Sequence, residues 1–183
     1  MQKLVIGSLV GGIIIFLWQF LSWTILNLHQ PAQQYTAKQE AIMKVLSTEL
    51  DKDGGYFIPN LPPDATWDEH EKAMTETAGK PWAVINYHKS REMSMGTNMV
   101  HGLVVDILMA ALFITLVTRM SNLNFTRILV SALFVGLIAF FSVPYTYHIW
   151  YLTFDLLAYF IDMVVSWGLC GVWLGYYFGK RKS

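Results

Sequence analysis

Two aspartates, Asp106 and Asp162, stand inside stretches that are otherwise apolar enough to lie in a membrane. An ionisable group at that depth is costly, and it marks a proton or ion pathway or a buried partner. Measured from the basic anchors Arg119 and Lys180 at the helical rise, Asp106 falls about 20 Å and Asp162 about 27 Å into their segments. Gln19 and Ser142, measured from Lys3 and Arg127, fall at about 24 Å and about 22 Å. Four apolar segments thus each bring one polar residue to the outer half of a bilayer, with His101 at the edge of that layer. Asp155 precedes Asp162 by seven residues and Ser166 follows it by four, a spacing that predicts all three on one inward face of a helix. No Lys or Arg shares their depth. The two deep acids are therefore expected to be neutral, or to share a proton, a cation or a histidine. The plainer expectation is that they hydrogen-bond to Gln19, His101 and Ser166 and hold the helices together.

Two further constellations could carry chemistry. His29, His101 and His148 all fall near the outer ends of apolar segments, and with Asp155 they could form a carboxylate–imidazole site for acid–base work at headgroup depth. His88, Met93, Met95, Met99 and His101 flank the outer surface, and thioether and imidazole ligands suit Cu(I). Methionines that enter a bilayer more often act as apolar side chains, and no cofactor is expected. The chain has no G-x-S-x-G elbow, no H-E-x-x-H, no Walker loop and no dinucleotide fingerprint. Its single cysteine, Cys170, rules out a disulfide framework.

The elements that must position these residues follow from composition. Of 183 residues, 54% are hydrophobic and only 14% charged, far from the balance of a soluble domain. A hydrocarbon core of about 30 Å takes about 20 residues of helix, and segments 4–28, 99–118, 126–143 and 151–178 meet that length. Four transmembrane helices are predicted, forming a mainly α bundle. The first apolar run is longer than a signal peptide's and lacks an A-x-A cleavage pattern, so it is expected to stay as an anchor. Lys3, Arg119, Arg127 and the tail Lys180, Arg181 and Lys182 fall on one side if the helices alternate, which makes that side cytoplasmic and both termini cytoplasmic. Asn124 begins an N-x-T triplet on that same side, so no glycan is expected there. The formal net charge is zero, which leaves nothing to attract nucleic acid.

Residues 30–98 are predicted to form a small α+β extracytoplasmic domain between helices 1 and 2, set between the anchor 1–29 and the helical region 99–183. Its net charge is −3, from seven basic and ten acidic residues. Apolar spacing at Ile42, Val45, Leu46 and Leu50 predicts that the first helix continues outward until Gly54 and Gly55 stop it. GYFIPN and PWAVINYH read as strands, LPPD as a turn, and Thr66 with Glu69 as a capping box for a helix that Gly79 closes. So few apolar positions cannot bury much core, so the domain should lean on the membrane surface or on a partner. Within the bundle, Gly7 and Gly11 on the first helix and Gly171, Gly175 and Gly179 on the fourth share a four-residue spacing in the cytoplasmic half, and these two helices are expected to pack closely there. Trp18, Trp23, Trp150, Tyr145, Tyr147 and Tyr151 read as an aromatic belt.

GSLVGGIIIFLWQFLSWTILNLH and GKPWAVINYHKS resemble stretches of a family of small four-helix bacterial inner-membrane proteins without assigned activity. The resemblance implies a bacterial inner membrane and four helices, and it transfers no functional residue. The leading expectation is a membrane accessory or scaffold protein, in contact with lipid and with a protein partner or a second copy. The alternatives are a small transporter or proton- or cation-handling protein using Asp106 and Asp162, and a lipid- or envelope-modifying enzyme using His29, His101 and Asp155.

Overall fold

A computed structural model describes residues 2–92 and 94–179. The copper candidate Met93 and the tail cations Lys180, Arg181 and Lys182 lie outside them. The chain divides into two compact units, residues 1–34 with 93–183 and residues 35–92.

The larger unit is built from four helices long and apolar enough to cross a membrane, spanning Gln2–Ile25, Met95–Val117, Phe125–Tyr151 and Leu156–Phe178. Their regular parts are α1 (Gln2–Phe20), α4 (Met95–Val117), α5 (Phe125–Phe140), α6 (Thr146–Tyr151) and α7 (Leu156–Phe178). Helices α1, α4, α5 and α7 each turn one stripe inward at helical spacing, as Asp106, Ala110, Phe113, Ile114 and Val117 do on α4. Leu108, Leu112 and Leu116 face outward on the same helix, bare in a way that water would penalise and lipid would not. Helix α1 packs against α4 and α7, and α5 packs along α7. Ile15, Ile114, Ile128 and Leu174, from four different helices, meet in the core.

Glycines set the closest approaches. A Cβ at Gly12 would lie 2.6 Å from the Ile107 backbone, and one at Gly136 would lie 2.6 Å from the Met163 carbonyl. The first and fourth helices pack together where Gly7 and Gly11 face α7, but the glycines of α7 face elsewhere. Gly7 and Gly11 lie against Ile114 and Ala110 of α4 as well as Phe178 and Cys170 of α7, whereas Gly171 meets Ala132 and Leu129, and Gly175 and Gly179 meet Phe125. The fourth helix spends its glycines on the third because α5 runs along it for most of its length.

Two segments depart from sequence expectation. The first helix does not run on to Gly54. It loosens into a π turn at Leu21–Ile25, breaks at Asn27 in left-handed backbone (φ 49°), and passes through a 3₁₀ turn at Gln30–Ala32 that holds Pro31. The amphipathic pattern that suggested continuation forms a separate helix, α2 (Gln39–Glu49). The stretch PYTYHIW, left between the predicted segments 126–143 and 151–178, is helix. Pro144 cannot donate to the ladder, and a π turn at Phe141–Tyr145 absorbs it and leads into α6. The third span therefore ends at Tyr151, and the fourth begins at Leu156 rather than at 151.

In the smaller unit, β1 (Gly54–Ile58) and β2 (Ala83–Tyr87) pair antiparallel, with Tyr56 opposite Ile85. Gly54 and Gly55 open the strand instead of ending a helix. Between the strands lies α3 (Trp67–Thr77), which starts at the full Thr66–Glu69 capping box and is followed by Gly79 at φ 74°. Neither α2 nor α3 buries a residue.

Candidate functional site

The break at the end of the first span creates the site. The chain turns back after the π turn, and His29 tucks beneath Trp23, whose ring stacks on the imidazole at 3.8 Å and 5°. Tyr159 of α7 meets the imidazole edge-on at 4.8 Å. His29 is 1% exposed. Its Nδ1 lies 2.8 Å from Asp155 Oδ2 and its Nε2 lies 2.9 Å from Asp162 Oδ2. Trp18 Nε1 donates to the other oxygen of Asp162 at 3.0 Å. The Ser166 hydroxyl donates to the backbone carbonyl of Asp162, one turn back along α7.

Asp155 is not on the helix, as its spacing suggested. It is the residue immediately before α7, in non-helical backbone, and its carboxylate reaches His29 rather than capping α7. The short connector that delivers it is fixed by His148 Nδ1, which accepts the Thr153 N–H at 3.0 Å. Asp155, Asp162 and Ser166 are nevertheless all buried.

The geometry dictates a proton count. A carboxylate only accepts, and a neutral imidazole donates from one nitrogen alone. Filling both His29 contacts thus requires two protons among three groups. Either an imidazolium sits between two carboxylates, or a neutral imidazole sits between one carboxylate and one carboxylic acid. Both arrangements carry net charge −1, and the Trp18 N–H stabilises it. The two ring nitrogens point in opposite directions, so one metal ion could not bind all three side chains. Among the described residues no group of three or more His, Cys, Asp or Glu is arranged to hold a metal.

Asp106 lies elsewhere in the layer. It is 2% exposed, and one oxygen accepts from Gln19 Nε2 at 3.3 Å, while Oδ2 has no hydrogen-bond partner among the described residues. Trp18 and Gln19 are neighbours, about 100° apart around α1. One therefore ties α1 to Asp162 on α7 and the other ties it to Asp106 on α4. The two acids thus meet different partners, Asp106 with Gln19 and Asp162 with Trp18 and His29.

Five predicted residues stand apart from the cluster. Ser142 is exposed in the π turn and His101 is exposed on α4, so neither joins the buried polar layer. Of the copper candidates, His88 is exposed in the smaller unit, and Met95 and Met99 are exposed on α4. His101 lies about 200° around the helix from Met99, so the two side chains diverge. His29, one of three histidines that the sequence set beside Asp155, is the one that meets it, and it meets Asp162 as well. Trp18 and Trp23, read as belt residues, are its supports. Tyr159 had no distinguishing signal at all. Comparison of the chain with protein families, with curated proteins and with solved structures finds no match.

Proposed function

We propose that this chain is a multi-pass integral membrane protein of the accessory or scaffold kind, held in a bacterial inner membrane with both termini cytoplasmic. Residues 30–98 lie outside and contact a protein partner. The observation that carries this reading is the bareness of the smaller unit, where Trp67 is 81% exposed, Met74 76% and Tyr35 79%. Apolar side chains in that state favour burial against another surface. The polar cluster of the bundle supports the same reading from the other side. Both nitrogens of His29 are occupied and the ring is buried, so no lone pair faces a substrate. The cluster serves to hold the returning chain and the start of α7 together. Extraction in mild detergent followed by mass analysis is expected to yield an assembly larger than one chain, and a strictly monomeric particle without a co-purifying protein would refute the proposal.

A second reading, proton or cation handling, draws on the unpartnered Oδ2 of Asp106. It predicts proton flux into liposomes that Asp106→Asn reduces severalfold. Equal flux in wild type and variant, or none in either, removes it.

A further inference from the structure

Helices α4 and α5 are consecutive but each packs mainly on another partner, α4 on α1 and α5 on α7. A lateral cavity of about 630 Å³ opens between them. This is the size of a ligand pocket rather than a packing defect. Its walls are apolar, with Phe113 and Trp167 at the base, Leu112 and Leu116 along α4, and Val135 and Ala139 along α5. Arg119 is the one charged residue that lines it.

Two features define the occupant. From Arg119 to Met109, the cavity follows α4 for about 15 Å at the helical rise, half of a hydrocarbon core of about 30 Å. The groove is therefore one leaflet deep. Arg119 itself is exposed and has no acidic partner among the described residues. The neighbouring Arg127, by contrast, is committed to the Ser121 and Asn122 carbonyls. A free guanidinium at the end of an apolar channel one leaflet deep matches a phosphate attached to a hydrocarbon tail.

We infer that the α4–α5 groove is a binding site for an anionic phospholipid, with one acyl chain along Leu112, Leu116 and Ala139 and the headgroup phosphate on Arg119. The inference rests on the four helices lying in a membrane but not on the accessory role proposed above. It fixes lipid in a stated place, whatever the smaller unit binds.

The test is native mass spectrometry of the full chain released from micelles containing equal amounts of phosphatidylglycerol and phosphatidylcholine. Phosphatidylglycerol adducts should exceed phosphatidylcholine adducts by about fivefold, the factor expected of one basic residue near an anionic surface. Arg119→Lys should keep the preference and Arg119→Gln should bring the ratio to about one. Ala139→Trp, which plugs the groove, should reduce both adducts, with Ala139→Leu as a smaller plug should the tryptophan variant fail to fold by circular dichroism. Equal adducts in wild type, or a preference that survives Arg119→Gln, would overturn the proposal. So would full adduct levels in a folded plugged variant, which would put the lipid on the surface, or a cross-link from Leu112 to a second copy, which would fill the groove with protein.

Discussion

In the larger unit the least exposed side chains include His29 and Asp106 alongside Ile15, Ile114 and Leu174, whereas in the smaller unit neither helix buries a single residue. The larger unit joins residues far apart in sequence, as His29 with Asp155 and Trp18 with Asp162. Beyond the β1–β2 ladder and the Phe57–Trp82 ring contact, the smaller unit relies mostly on near neighbours. Thr66 and Glu69 cap α3, the Tyr56 hydroxyl donates to the Lys52 carbonyl at 2.7 Å, and one longer link runs from the Lys89 N–H to Asp53 at 2.9 Å. The difference separates two ways of stabilising a chain. Buried long-range polar contacts make a unit cooperative, so one loss is felt throughout. Exposed local contacts are nearly independent, and each can be lost alone.

The largest expected effect follows from removing His29. In His29→Ala, Asp155 and Asp162 keep their burial and lose their shared partner. Leaving buried charge uncompensated typically costs about 3–5 kcal/mol. Denaturation of the detergent-solubilised protein should show a loss of that order, and Asp155→Asn with Asp162→Asn in the His29→Ala background should recover part of it. Trp67→Ala in the smaller unit, by contrast, should change stability by less than about 0.5 kcal/mol, as exposed substitutions do. Comparable losses at His29 and Trp67 would erase the distinction between the units.

The same distinction explains what could be read from the sequence. The four spans were legible because a length of apolar residues is a property of a continuous window. The capping box, the two strands and the turn at Gly79 were legible because each is a local device of a few residues. The cluster was legible only in pieces. Asp106, Asp162 and Ser166 were expected at buried depth and His29 was one of three histidines set beside Asp155, but His29 as the partner of both Asp155 and Asp162 was not legible. His29 reaches them only because the first span loosens at Leu21–Ile25 and reverses at Asn27. No residue there announces a π turn, and the amphipathic pattern beyond it favours a continued helix. The continuation of α5 through Pro144 was missed for a related reason, since a π turn hides the break that a proline ordinarily signals. The glycine stripes were visible, but the third helix as the neighbour of Gly171, Gly175 and Gly179 was not, because spacing marks a face and leaves its neighbour unspecified.

The smallest effects belong to the α3 cap, and they test whether the local devices really act alone. Thr66→Ala removes the hydroxyl that accepts the Glu69 N–H at 3.4 Å, a loss that costs about 1 kcal/mol at a helix N-terminus. Hydrogen exchange in the full chain should show faster opening of residues 67–77 and unchanged protection in α1, α4 and α7. A pH dependence accompanies it. The Thr66 backbone N–H, at 2.7 Å, and then its hydroxyl, at 2.9 Å, hold the Glu69 carboxyl below its ordinary value. An acid whose folded value is depressed contributes stability that is complete above the ordinary carboxylate range and is lost as pH falls through the depressed value. Protection of α3 should therefore decline on acidification below the ordinary carboxylate range. Because the backbone N–H makes the larger contribution, Thr66→Ala should weaken this dependence without abolishing it, whereas Glu69→Gln should remove it. Acidification that instead left α3 unchanged in wild type would show that the cap does not govern the helix, and the smaller unit would have to be held by contacts of longer range.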